Sequence, residues 1–201
     1  MAIEVVLFDL GGVLIDFGGV GPLRELSGIG SDDEVWRRWL TCEWVRAFER
    51  GECDRDAFAA GVVRDWALPI DGPAFLAEFS GWLGAALPGA AELVSEVQRL
   101  VPVGCLSNTN AVHWEHRARW PFVDVLDHRF LSFELGVVKP DRALFDRVAE
   151  LLGVPADRVL FLDDNQINVD GAVAAGFRAE RVQGPVEARA ALVDAQVLTT
   201  S

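Results

Sequence analysis

Four short stretches of this chain bring together side chains that chemistry needs. Asp9 stands in Phe8-Asp9-Leu10-Gly11-Gly12-Val13, Ser107 and Asn108 follow an apolar run, Lys139 precedes Pro140, and Asp163-Asp164 lead into Asn165 and Asn168. Carboxylates with oxygen-only partners suit Mg²⁺, which takes few protein ligands and keeps waters or a substrate phosphate in its shell. A carboxylate beside such a metal can attack phosphorus and form an aspartyl-phosphate. Ser107, with neighbouring backbone N–H groups, and Lys139 have the donors to hold phosphoryl oxygens and balance charge in the transition state. Each group alone has a plainer reading: Asp9 as a turn residue, Asp163-Asp164 as a helix cap, Ser107-Asn108 as a turn, Lys139 as a solvated surface amine. Lys139, however, is the only lysine among 18 basic side chains. An ammonium is a compact point charge that a guanidinium does not replace.

The segments before these residues explain why they would meet. Residues 3–8 read as a buried strand, and similar strands are expected at Val101–Leu106, His128–Phe133, Arg158–Leu162 and Arg178–Val182. Helical patterns lie between them: Leu93, Val94, Val97 and Leu100 share one face, as do Leu144, Phe145, Val148, Leu151 and Leu152. Strands alternating with helices imply an α/β fold, a parallel sheet covered on both faces. In such sheets ligands bind beyond the carboxyl ends of the strands, at a topological switch point.

Residues 22–87 break the alternation. Ser31 with Glu34 forms a capping box that opens a helix bearing Trp36, Trp39, Leu40 and Phe48 and closing at Gly51. Asp54 caps a second helix with Phe58, Val62 and Trp66, and a third from about Pro73 carries Phe75, Phe79 and Trp82. The segment reads as a small helical module inserted after the first strand, with Gly18–Pro22 as one hinge and Pro88-Gly89 as the return. Residues 1–21 and 88–201 then form the core and 22–87 a cap.

Composition narrows the partners. A net charge of −13 on 201 residues repels nucleic acid and anionic membranes. No apolar run approaches the roughly 20 residues that span a bilayer. The opening Met-Ala-Ile-Glu lacks a basic leader, so no secretion signal is expected. Cys42, Cys53 and Cys105 have no metal-ligand spacing, and a reducing, cytoplasmic setting is their simplest reading.

The four stretches, in this order, resemble the motifs of the haloacid dehalogenase superfamily. The phrasing Ser-Asn-Thr-Asn, Glu-Leu-Gly-Val-Val-Lys-Pro-Asp and Gly-Ala-Val-Ala-Ala-Gly-Phe is most similar to the branch holding glucose-1-phosphate phosphatase and the N-terminal phosphatase domain of soluble epoxide hydrolase. The resemblance implies a Rossmann-like core with a helical cap after the first strand. It implies Asp9 as nucleophile, with Ser107, Asn108 and Lys139 around the phosphate. It also implies Mg²⁺ held by Asp9, the backbone carbonyl of Gly11 and Asp164, with Asp163 in support.

One departure stands out. Most phosphatases of that superfamily carry an acid–base Asp two residues after the nucleophile, where this chain has Gly11. General acid–base help is worth about 10²–10⁴-fold. A water, a substrate group, His113 or His116 would have to substitute. The expectation is therefore a Mg²⁺-dependent phosphatase of small phosphorylated metabolites, sugar phosphates among them, acting as monomer or homodimer. The alternatives are a metal-free dehalogenase in which Asp9 attacks carbon, and a phosphate-binding protein without turnover.

Overall fold

The computed structural model describes residues 2–199. Seven strands form: β1 (Val5–Phe8), β2 (Ile15–Phe17), β3 (Leu83–Ala86), β4 (Val103–Ser107), β5 (His128–Leu131), β6 (Val159–Asp163) and β7 (Arg178–Arg181). Five of them make one parallel sheet in the order β5-β4-β1-β6-β7, with β1 at its centre. All four residues of β1 are buried, and they alternate between the faces. Val6 and Phe8 pack with Leu93, Val94 and Val97 of helix Ala90–Gln98 and with Ala188, Ala191 and Leu192 of helix Gly184–Asp194. Val5 and Leu7 pack on the other side with Leu144, Phe145 and Val148 of helix Arg142–Leu152 and with Ala172 of helix Gln166–Ala174. A strand covered on both faces must be apolar throughout, which is what residues 5–8 are.

Chain order places the switch point where the motifs need it. After β1 the chain adds β4 and β5 on one side, then returns to lay β6 and β7 on the other. The carboxyl ends of β1, β4 and β6 therefore stand side by side. They carry Asp9, Ser107 and Asp163.

The insert differs in detail from its sequence pattern. A helix at Val20–Ser27 occupies the glycine-rich stretch read as a hinge, closed by Gly28 at φ 69°. The helix opened by Ser31 ends at Leu40 rather than near Gly51, and a separate helix runs over Glu43–Glu49. The break falls at Thr41, whose hydroxyl donates back to the Arg37 carbonyl at 2.8 Å and competes with helix continuation. Helices Arg55–Trp66 and Gly72–Ser80 follow, each capped by an aspartate, Asp54 and Asp71. Trp82 lies past the last helix, and β3 pairs antiparallel with β2, so a two-stranded ribbon carries the chain out of the sheet and back. In the sheet itself, β5 stops at Leu131, because Ser132 begins a helical turn over Ser132–Leu135. The Ser132 hydroxyl is pinned there between the N–H and carbonyl of Thr109.

The insert has its own aromatic core. Phe58 is completely buried, with Phe48 stacked at 4.3 Å and Phe79 at 4.9 Å between ring centroids. Trp39, Trp66, Phe75 and Trp82 complete the cluster. Truncating Phe58 leaves a cavity that surrounding rings fill poorly. Phe58→Ala is expected to cost about 3–5 kcal/mol, read as a lowered midpoint in urea unfolding; an unchanged midpoint would show that the cluster does not hold the insert together.

Candidate active site

Lys139 is the centre of the site. Its side chain is 1% exposed, and its ammonium has three N–H donors. Nζ donates to Asp163 Oδ2 at 2.6 Å and to the Leu106 carbonyl at 3.1 Å, and pairs with Asp9 Oδ1 at 3.0 Å. Three donors thus meet three acceptors, one from each of β4, β6 and the end of β1. Burial opposes the charge, but Asp163 and then Asp9 outweigh it and hold the Lys139 pKa above its ordinary value. A guanidinium could not satisfy this compact geometry, which accounts for the lone lysine in an arginine-rich chain.

Each carboxylate has a distinct setting. Asp9 Oδ1 also accepts from the Leu10 N–H at 2.8 Å, and the nearby Ser107 side chain favours the charged carboxylate. Burial pushes the Asp9 carboxyl up to about 6, with Lys139 pulling down and Asp163 adding to the rise. Asp163 is fully buried and engaged on both oxygens: the Asn165 N–H and the Asn168 amide reach Oδ1, while Lys139 and the same amide reach Oδ2. Asp164 is half-buried and pushed up to about 7, by burial first and then by Asp9 and Asp163. Gly12, at φ 73°, is what lets it sit there; a Cβ on Gly12 would lie 2.4 Å from Asp164 Oδ2.

Asp9, Asp163 and Asp164 offer oxygens that lie within 4.8 Å of one another. Three carboxylates against one ammonium leave two negative charges uncompensated in a largely desolvated corner. That donor set fits a divalent, oxygen-seeking cation. Asp163 already spends its oxygens on protein donors, so Asp9 and Asp164 are the carboxylates with room for an ion. Gly11 lines the same cavity, and among the described residues no backbone N–H is bonded to its carbonyl.

Asn108 does something the sequence did not reveal. Its Oδ1 accepts from the Lys139 N–H at 2.8 Å and its Nδ2 donates to the Lys139 carbonyl at 3.1 Å. The side chain clamps the backbone that delivers the lysine, while still bordering the cavity. His113 also borders it, but Nε2 is 2.8 Å from the Phe79 carbonyl and the ring stacks on Phe79 at 4.2 Å. Burial lowers its pKa to about 4, so it is neutral and occupied.

A cavity of about 650 Å³ opens over these groups. Asp9, Lys139 and Asp164 form its floor, and the insert supplies the opposite wall through Trp36, Trp82 and Glu49. Glu49 was not among the residues singled out by spacing. It lies one position after the core residue Phe48, and nothing in its local pattern separates it from a solvated helix end.

The chain belongs to the haloacid dehalogenase-like hydrolase family, whose model matches residues 3–176. Phosphatase MT3486 of Mycobacterium tuberculosis is 29% identical over 212 residues, covering 96% of this chain and 93% of that protein. Sesquiterpene phosphatase astK of Aspergillus oryzae is 27% identical, covering 87% of each. A haloacid dehalogenase family enzyme from Bacteroides thetaiotaomicron, solved with magnesium and inorganic phosphate, is 22% identical with a TM-score of 0.72, covering 90% of this chain and 95% of that one. L-2-haloacid dehalogenase of Xanthobacter autotrophicus is 24% identical with a TM-score of 0.64, covering 98% and 84%. At these identities the two structures establish a shared fold.

The Lys139 arrangement generates a stability prediction. Removing the ammonium strands the buried Asp163 carboxylate, so Lys139→Met should destabilise the protein by about 3–5 kcal/mol. Adding Asp163→Asn to that variant should recover part of the loss. Equal unfolding midpoints for wild type and Lys139→Met would contradict the arrangement.

Proposed function

We propose that this hydrolase is a Mg²⁺-dependent phosphatase of small phosphorylated metabolites, working through an aspartyl-phosphate on Asp9. The observation that carries the reading is the excess of carboxylate over ammonium at the floor of the cavity, with Asp9 oriented by Lys139 and the Leu10 N–H. Asp9, Asp164 and the Gly11 carbonyl would hold the ion, which would neutralise the carboxylates and polarise the phosphoryl oxygens.

This chain's own groups then divide the work. The Asp9 carboxylate attacks phosphorus, held in aim by contacts that leave it little rotational freedom. Lys139 and the Ser107 hydroxyl supply positive charge and a donor where the phosphoryl oxygens gather negative charge. Asn108 keeps Lys139 in place, and Asp163 keeps the lysine charged. The insert acts as a cap over 22–87: its aromatic wall excludes water and presents an apolar surface to the non-phosphate part of the substrate. A volume of about 650 Å³ suits a metabolite of sugar-phosphate or comparable size. Three free cysteines support a reducing, cytoplasmic setting.

The dehalogenase alternative is disfavoured by Asp164. A second half-buried carboxylate beside Asp9 would repel an anionic haloacid, whereas it would help hold the cation that a phosphate ester needs there. Turnover of a phosphomonoester panel and of a 2-haloacid, each with Mg²⁺ and with EDTA, tests the proposal. Metal-dependent phosphate release supports it, and halide release without metal would replace it.

Two further outcomes follow from the same groups. Asp9→Asn should abolish hydrolysis while circular dichroism shows an intact fold; wild-type rates in that variant would remove Asp9 from its role. For pH, the folded protein without metal holds the Asp9 and Asp164 protons more tightly than the unfolded chain does, with values of about 6 and about 7 against an ordinary 3.8. Their contribution to stability is complete below 3.8 and is lost as pH rises through 6 and 7. Mg²⁺ should therefore raise Tm clearly at about pH 8 and little at about pH 5, since the ion binds deprotonated ligands. An equal Mg²⁺ effect at both would contradict the assignment.

A further inference from the structure

The cavity contains an acidic group that the proposed reaction has not yet used. Glu49 ends the helix Glu43–Glu49 of the insert and lines the cavity across from Asp9 and Lys139. Two contacts hold that helix against the core. Arg46 pairs with Asp141 at 2.8 Å, two residues beyond Lys139. Gly51, just past the helix, sits so close to the Phe133 carbonyl that a Cβ there would lie 2.6 Å from it. The place of Glu49 on the cavity wall, near enough to feel the charge of Lys139, is therefore set by packing rather than by a loop. Among the described residues its carboxylate takes part in no hydrogen bond or ion pair. The other insert carboxylates on this cavity, Asp32 and Asp33, lie exposed at the start of another helix, and Asp32 is bonded to Arg24.

Geometry gives that position a meaning. Displacement at phosphorus is in line, so the leaving oxygen points away from the attacking Asp9, toward the insert. A proton donor for that oxygen has to stand on the insert side. Position 11 cannot provide one, although packing does not forbid a side chain there: a Cβ on Gly11 would meet only Phe17 and Leu83 at 3.7–3.9 Å. His113 is neutral and bonded to the Phe79 carbonyl. His116 does not line the cavity. That leaves Glu49, whose carboxyl is lifted to about 7, by burial first, against the pull of Lys139, Arg46 and Arg50, with Asp9 adding to the rise.

We propose that Glu49 is the general acid and base of this enzyme, supplied by the insert in place of the carboxylate absent at Gly11. The proposal rests on the phosphatase reading above. In the first half-reaction the Asp9 carboxylate forms an O–P bond while the bond from phosphorus to the leaving oxygen breaks. The Glu49 proton passes to that oxygen and the product leaves as an alcohol. In the second, the Glu49 carboxylate takes a proton from water as the water oxygen bonds to phosphorus. The P–O bond to Asp9 breaks, releasing inorganic phosphate and restoring Asp9 as carboxylate and Glu49 as acid.

The test compares wild type with Glu49→Gln, with Mg²⁺ present, on phosphate esters whose leaving groups run from p-nitrophenol to a simple alcohol. p-Nitrophenolate departs without a proton, whereas an alkoxide needs one. In single turnovers Glu49→Gln should retain the phosphorylation rate on p-nitrophenyl phosphate and lose about 10²–10⁴-fold on the alkyl ester. In steady state the variant should give a burst of p-nitrophenolate and then slow turnover, because water has lost its base. A rise in KM with kcat unchanged on every ester would make Glu49 a binding residue and overturn the proposal. So would equal losses on aryl and alkyl esters. A wild type that hydrolyses none of the esters overturns the phosphatase reading itself, which separates the two failures.

Discussion

One buried ammonium organises this molecule's chemistry. Lys139 joins the carboxyl ends of three adjacent strands: β4 through the Leu106 carbonyl, β6 through Asp163, and β1 through Asp9. Burying a charge is costly unless it is paired and hydrogen-bonded, and here every N–H of the ammonium has an acceptor. The arrangement also fixes Asp9. A carboxylate held by Lys139 and a backbone N–H has lost much of its rotational freedom before any substrate arrives, which is the kind of preorganisation catalysis draws on. The residues that support the lysine do so from both ends: Asn108 holds its backbone, and Asp163, itself saturated by Asn165 and Asn168, holds its charge.

The same corner is electrostatically incomplete. Asp164 is added to a pair that the lysine can balance only in part, in a protein whose net charge is already −13. Burial and mutual repulsion raise the carboxyls of Asp9 and Asp164, so the protein alone favours a proton where a cation is expected to sit. An anionic phosphate ester would be repelled by this floor without a compensating ion. The proposed metal dependence is therefore a consequence of charge placement.

Much of this was legible in the sequence, for a simple reason. The strands of a doubly covered sheet are short apolar runs, and each run that matters stops at a polar residue: Phe8 before Asp9, Leu106 before Ser107, Leu162 before Asp163. Topology then brings those ends together, and the single lysine announced itself by composition. What could not be read depends on contacts between distant segments. The ribbon of β2 and β3 pairs residues separated by the whole insert. The one local exception is the break at Thr41, where a hydroxyl competes for the Arg37 carbonyl four residues back. The resemblance implies Asn108 beside the phosphate, and only the loop of Lys139 folded against it shows that its amide also holds that loop. Glu49 carries no local signal at all; its place over the site follows from Arg46 and Gly51 meeting the core.

The most direct test is to stop the enzyme with acid during turnover of a phosphomonoester in Mg²⁺ and map the protein by mass spectrometry. A phosphoryl group on Asp9, absent when EDTA replaces the metal, is the result this account predicts. A phosphoryl group on Ser107 or any other side chain, or rapid turnover with no phosphoenzyme trapped, would contradict it.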